Sequence, residues 1–468
     1  MDLLRRQRLL IERLKSYIPI FLGIFLGYVV AYNKHFLAYG MLLIFGSVLF
    51  LKGFLDPVLC LALVALTFPF RVYASLPQLR VLNCYRLFLI LAFISFGFKV
   101  VLGKKYLRFQ IRTEDVLLSA FLVIVFAGGL WAQNQAYFVK YVGLMMEGVG
   151  LYFLVKLIVK SKQEVLTIVK AMWVAFGVIL IVGFAQAFFT FDLPYSVPLL
   201  WRGKVRLTSF FHNSNDFGLY LSMFIPGITT FIFYQKSRIW KIALIGLFFV
   251  SFFCLLLTRS RVAFVATLLG LGSLFFLLPH RLSKRTTIFS LLLLLFLVLL
   301  PYLLPLVRPT IYGLVNVVKN IQSQAIRKDY ARWQLLVAGT KIGSLYPLAG
   351  VGAGNFKARL LEIMPNFVFG RDFSSHNFWV ELWANFGIIG FLLFSGFYFS
   401  VYKGLKSLRL AEDQFIQALS VWFRASLIGF VVGCLGPSGV MNFLILWLFL
   451  GLGSKISSLE IIHSLQGD

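Results

Sequence analysis

Acidic residues are scarce in this 468-residue chain: 17 Asp and Glu stand against 45 Lys and Arg, and charged residues of both signs reach only 13%. With 60% hydrophobic residues and a mean hydropathy of +0.88, so few charges cannot cover a soluble core of this size. A water-soluble globular protein is excluded, and an integral membrane protein is implied. Cysteines are few as well. Cys60, Cys84, Cys254 and Cys434 lie in or at the ends of apolar segments without paired spacing, so neither a disulfide framework nor a metal site is indicated. Gly and Pro are sparse within the apolar runs, and those runs are continuous rather than alternating, which excludes a β-barrel. The expected fold class is all-α: a polytopic membrane protein of 12 to 14 transmembrane helices with an extracytoplasmic helical cap. No small-residue cleavage site follows the basic start of the chain, which therefore reads as an uncleaved anchor. Internal repeats and low-complexity linkers are also missing, so a single membrane domain is expected.

What is abundant is positive charge. The formal +28 and pI near 10 suit a phosphate binder, but the distribution gives a simpler explanation and no nucleic-acid partner is expected. Spans of about twenty apolar residues are expected near 17–33, 36–51, 55–72, 84–102, 114–131, 138–158, 165–190, 215–234, 239–257, 261–279, 286–306, 376–402, 415–434 and 438–454. If the N-terminus is cytoplasmic, Lys104, Lys105, Arg108, Arg112, Lys160, Lys162, Lys236, Arg238, Lys241, Arg281, Lys284, Lys403 and Lys406 all fall inside, as lipid-flanking cations do. The chain then divides into membrane helices over 1–306, a polar outer segment over 307–375, and membrane helices over 376–468. Within the outer segment, 310–324 and 332–345 have amphipathic helical spacing, and Pro347, Gly350, Gly352 and Gly354 break the second helix.

Several arginines remain on the outer side, where acidic partners are few. Arg202 and Arg206 precede Phe211-His212-Asn213-Ser214-Asn215 at the mouth of one span, while Arg259 and Arg261 occupy a tight Thr258-Arg259-Ser260-Arg261 turn between two others. Arg332 opens the amphipathic helix of the cap. Guanidinium forks beside Ser, Thr and Asn donors suit phosphate oxygens; snorkelling to lipid head groups is the alternative reading of the same residues. His376 opens a later span beside Asn377, about one turn before Glu381 and on the expected same helical face. A neutral imidazole there can take a proton from an attacking hydroxyl, or can be a helix-boundary histidine bonded to the backbone. His212 is its rival. The run Gly350-Val351-Gly352-Ala353-Gly354 is a turn-former first, since it lacks the Lys-Ser/Thr ending of a phosphate loop.

These motifs, Arg206 to Gly218, the Thr258 to Arg261 turn, Arg332-Trp333 with Pro347 to Phe356, and His376-Asn377 with Glu381, Gly387 and Gly390, resemble the O-antigen ligase family and its polymerase relatives over about residues 200–392. The resemblance implies a lipid-linked glycosyltransferase that needs no metal or other cofactor. Its donor is a glycan on undecaprenyl diphosphate, and its acceptor is a sugar hydroxyl of lipid A-core. The reaction takes place on the periplasmic face of the bacterial inner membrane. It further implies that Arg206 and Arg261 grip the diphosphate and that His376 activates the acceptor; Arg202, Arg259, Arg332 and Asn215, in or beside the same motifs, are expected as further substrate contacts. Ser209 departs from the family, where Gly is frequent. A polymerase extending a lipid-linked glycan is the alternative. A transporter is a third reading, weakened because the charges within spans, Arg86, Glu147 and Lys170, are scattered and unrepeated.

Overall fold

The computed structural model describes residues 56–70, 75–76, 79–102, 110–189, 191–193, 200–201, 204–278, 326–363, 375–408, 411, 413–437 and 439–466. Among these the chain forms thirteen helices: α1 Pro57–Thr67, α2 Cys84–Leu102, α3 Thr113–Ala127, α4 Gln135–Ile158, α5 Lys162–Phe189, α6 Ser214–Tyr234, α7 Arg238–Thr258, α8 Arg261–Leu277, α9 Ile326–Leu345, α10 Phe356–Ile363, α11 Phe378–Ser407, α12 Gln414–Gly433 and α13 Leu444–Gln466. Two very short antiparallel hairpins join them, β1 Ser75–Leu76 with β2 Leu79–Asn83, and β3 Leu200–Trp201 with β4 Lys204–Val205.

Eight of these helices, α2 to α7, α11 and α12, are long and apolar enough to cross a membrane, and α1, α8 and α13 are shorter apolar helices. The expected spans from 55–72 to 261–279 and from 376–402 to 438–454 thus correspond to helices. Those at 17–33, 36–51 and 286–306 lie outside the described residues, as does the amphipathic segment 310–324. The expected helix over 332–345 forms as part of α9, and it ends where the proline and glycines were expected to stop it. The last span is displaced. A 3₁₀ turn occupies Val440–Asn442, and α13 starts at Leu444 and continues to Gln466.

Side chains at the turns close the helix ends that a bilayer could not satisfy. Asn134, Asn213, Ser260, Asn377 and Asp413 each accept a backbone N–H from the first turn of α4, α6, α8, α11 and α12. Helix α6 is the hub of the bundle, buried along most of its length against α12, α7 and α8. Trp422 of α12 donates its indole N–H to the Met223 carbonyl at 2.9 Å, and Ser426 donates to the same oxygen at 2.6 Å. Gly429 lets α12 approach α8 so closely that an added β-carbon would lie 2.6 Å from the Ala266 carbonyl oxygen.

Chain direction and contacts sort the turns to two ends. At one end, Lys162 bonds Asp413, and a buried network links α3, α4, α11 and α13. There Lys156 pairs with Asp115 at 2.5 Å, while Glu114 accepts from Ser454 at 2.7 Å and pairs with Arg112 at 3.2 Å. The other end gathers 128–134, 207–214, 259–260, 346–355, 375–377 and 434–443. Two of the charges within spans pair with each other. Arg86 on α2 pairs with Glu147 on α4 at 2.7 Å, and Tyr85 donates to the same carboxylate at 2.5 Å. A lone charge in lipid is costly, so pairing is the expected way to keep both.

Candidate functional site

The site is built from turns at that second end. The segment after β4 is tied to the end of α7, because Leu207 donates its N–H to the Leu257 carbonyl at 3.1 Å. This bond sets Arg206 beside the turn that carries Arg259 and Arg261. Ser209 then takes a left-handed backbone at φ 46°, with its N–H on the buried Gln186 side chain at 2.8 Å and its hydroxyl on the Ile179 carbonyl at 2.7 Å. The serine therefore adopts a conformation natural to the glycine of the family pattern, and two hydrogen bonds to α5 stabilise it.

Asn213 starts α6, accepting the N–H of Asn215 and Asp216 at 2.9 and 3.0 Å and donating to the Asp216 carboxylate at 2.9 Å. Asn215 is thereby placed in the first turn of α6, half-buried. Gly218, one turn on, faces the second cluster, since a β-carbon there would lie 3.1 Å from Ser260 Cβ and 2.8 Å from Ala263 Cβ. In that turn Arg259 is the left-handed cap of α7 at φ 55°, and Arg261 is the first residue of α8. Burial lowers the Arg259 guanidinium from its usual value, because desolvation disfavours the charged form. A cation in the first turn of α8 also stands at the positive end of the helix dipole, at a cost of about 0.3 to 1 kcal/mol.

Gly436 brings in the histidine. An added β-carbon at Gly436 would lie 3.4 Å from Val262 Cβ, next to Arg261, and the Gly436 carbonyl lies 3.3 Å from His376 Nδ1. The three elements expected to act together, the Arg206 loop, the Arg259–Arg261 turn and His376, are thus neighbours at one end of the bundle. They also hold all the left-handed non-glycine residues among the described residues: Ser209, Arg259 and His376.

One expectation fails here. His376 does not share a helical face with Glu381, because it precedes the Asn377 cap and turns at φ 47°. Its link to Glu381 runs through Ser375, whose hydroxyl lies 3.2 Å from Glu381 Oε2. The backbone-bonded reading of this histidine is compatible with the chemical one. A hydrogen bond from Nδ1–H to the Gly436 carbonyl leaves the basic lone pair on Nε2. His212, the rival, is exposed and lines a cavity of about 20 Å³ with Phe68, Pro69, Phe210, Phe211, Asp216 and Phe443, room for roughly one water.

The glycine run docks on α11 instead of forming an anion cradle. Val351 and Gly352 donate their N–H groups to the Ala384 and Asn385 carbonyls at 3.0 and 2.9 Å, and Asn385 Oδ1 accepts from Phe356 at 3.0 Å. Helix α11 is broken opposite this loop at Gly387, φ 65°, where Ile388 donates to the Pro347 carbonyl at 2.7 Å. Beside it Asn355 accepts the Asn134 N–H at 2.7 Å, and Trp131 donates to the Gly350 carbonyl at 3.1 Å.

Arg332 lies on α9, whose side chains are described from Trp333 onward, and Arg202 lies outside the described residues. The sequence reading missed Gln186 and Tyr141. Gln186 is a solitary fully buried amide in an apolar span, a signal open to inspection; Tyr141, one aromatic among many, gave none.

Residues 246–395 match the family model described as O-antigen ligase, so the resemblance read from the motifs is borne out over that stretch. It covers Arg259, Arg261, Arg332, the glycine run and His376, while Arg202, Arg206 and Asn215 precede it. A curated relative, the teichuronic acid biosynthesis protein TuaE of Bacillus subtilis (strain 168), is 26% identical over 386 residues, spanning 79% of this chain and 77% of its own. Family and relative together point to a multi-pass membrane enzyme of polysaccharide biosynthesis, of glycosyltransferase type.

Proposed function

We propose that this protein is an O-antigen ligase. It moves a glycan from undecaprenyl diphosphate to a sugar hydroxyl of lipid A-core on the periplasmic face of the bacterial inner membrane, with inversion and without a metal. The observation that carries the reading is the convergence of the Arg206 loop, the Arg259–Arg261 turn and His376, each with a left-handed non-glycine residue, inside or beside the matched region. Such backbone cost persists where function or packing demands it.

The chemistry follows from the residue types. Arg206 and Arg261, supported by Arg259, Arg202, Arg332 and Asn215, hold the diphosphate through charge-assisted hydrogen bonds. His376 Nε2 takes the proton of the acceptor hydroxyl. The freed oxygen attacks the anomeric carbon from the face opposite the diphosphate, the carbon–oxygen bond to phosphate breaks, and the departing charge settles on oxygens already facing guanidinium groups.

A second reading is a polymerase that uses the same donor and a lipid-linked acceptor, and a relative named for teichuronic acid biosynthesis is compatible with it. Incubation of the purified protein with a defined undecaprenyl diphosphate oligosaccharide, lipid A-core and a second lipid-linked glycan separates the two. Glycosylated lipid A-core supports the ligase, an extended lipid-linked glycan supports the polymerase, and an unconsumed donor refutes both.

A further inference from the structure

His376 is held in a backbone conformation that a residue with a β-carbon adopts only when its surroundings impose it. The surroundings are specific. Ser375 is almost fully buried, and its hydroxyl bridges the turn, lying 2.8 Å from the Asn377 carbonyl and accepting the Asn377 N–H at 3.2 Å. Ser375 and Asn377 therefore clamp the histidine between them. One more group reaches that clamp, the carboxylate of Glu381 at 3.2 Å. Glu381 is itself fixed in the first turn of α11, where its N–H meets the Asn377 carbonyl at 2.9 Å.

A second helix steadies the carboxylate. Tyr141 on α4 lies beside Glu381. Its ring lies 6.2 Å from that of Phe386, and a β-carbon added at Gly354 would come within 2.8 Å of Tyr141 Cβ. The contacts thus run from the glycine loop through Tyr141 and Glu381 to Ser375, and end at the histidine.

We infer that Glu381 is a positioning residue for His376, acting through the Ser375 hydroxyl and held in place by Tyr141. The inference rests on the proposed role of His376 as base. It assigns Glu381 no contact with substrate. The one proton of the Ser375 hydroxyl is shared between the Asn377 carbonyl at 2.8 Å and the Glu381 carboxylate at 3.2 Å, and the carboxylate orders the turn through that shared bond at an almost fully buried serine.

The test uses the full-length purified protein and compares kcat and KM for the lipid-linked donor among Glu381→Ala, Glu381→Gln, Ser375→Ala, Tyr141→Phe and His376→Ala. Loss of positioning lowers kcat by about tenfold to a hundredfold in Glu381→Ala and Ser375→Ala. KM for the donor stays within about twofold, because the arginines are untouched. Glu381→Gln recovers most of the rate, since its amide oxygen still accepts the serine hydroxyl, and Tyr141→Phe falls between. If Glu381→Ala does not accumulate as folded protein, Ser375→Ala carries the test with the helix intact. Wild-type kcat in Ser375→Ala and Glu381→Ala beside a dead His376→Ala overturns the positioning inference alone. A raised KM with unchanged kcat overturns it as well. Normal turnover by His376→Ala overturns both this inference and the reading beneath it.

Discussion

Leu207 donates its backbone N–H to the Leu257 carbonyl at 3.1 Å, and this single bond ties the loop of Arg206 to the turn of Arg259 and Arg261. Two arginine motifs that are distant in sequence are thereby tied together at one end of the bundle. Replacing Arg206 or Arg261 by Ala should remove one charge-assisted phosphate contact, about 2 to 3 kcal/mol or roughly 30-fold to 150-fold in transfer rate. The measurement is turnover at equal protein level. Near-normal rates in both variants would point to snorkelling arginines instead.

Ser209 supplies a conformational prediction. Its left-handed backbone costs glycine nothing, while its hydroxyl bond to Ile179 would be lost on truncation, two terms of about 1 kcal/mol each and opposite sign. Ser209→Gly should therefore leave the thermal midpoint nearly unchanged. Ser209→Val should lower it clearly, since a β-branched residue is poorly tolerated at positive φ. Melting curves in detergent read both, and equal midpoints for the two would show that the loop can choose another backbone.

The glycine loop is expected to be intolerant of side chains. A β-carbon at Gly350 would lie 2.4 Å from the Asn385 backbone, and one at Gly387 would lie 2.2 Å from the Leu348 carbonyl oxygen. Neither neighbour is a flexible side chain that can step aside. Gly350→Ala and Gly387→Ala should each destabilise the docking of 346–356 on α11 by about 2 kcal/mol or more, from strain at positive φ and displaced backbone together. Protease sensitivity of the 346–363 region reports this, and wild-type resistance would contradict it.

Orientation is testable with single cysteines in a background where Cys60, Cys84, Cys254 and Cys434 are replaced. Gln133 and Ser407 are both exposed at opposite ends of the bundle. An impermeant thiol reagent should label Gln133→Cys in intact spheroplasts and Ser407→Cys only after permeabilisation. The inverse pattern would turn the site toward the cytoplasm, away from the proposed donor.

Much of the fold was legible because long apolar runs leave a chain no other option in lipid. The break of α11 at Gly387 was not legible as a break. Glycine is common in membrane helices, and only the carbonyl of Pro347, arriving from another segment, reveals the need for it. For the site, residue types and expected membrane side pointed to the Arg202–Arg206 and Arg259–Arg261 clusters and to His376, and the family resemblance singled out Arg206 and Arg261, yet their convergence depends on Leu207, Leu257 and Gly436, which carry no signal of chemistry. The pairing of Arg86 with Glu147 was hidden for the same reason. It is set by the packing of α2 on α4, not by any local pattern.

The central claim, that His376 is the base at a site where arginines hold the donor, is tested most directly by measuring donor binding and product formation in parallel for His376→Ala and His212→Ala. A general base contributes about a hundredfold to ten-thousandfold. His376→Ala should therefore bind the undecaprenyl diphosphate oligosaccharide almost as the wild type does and form no detectable product, while His212→Ala keeps transferring. An active His376→Ala protein beside an inactive His212→Ala protein would contradict the account.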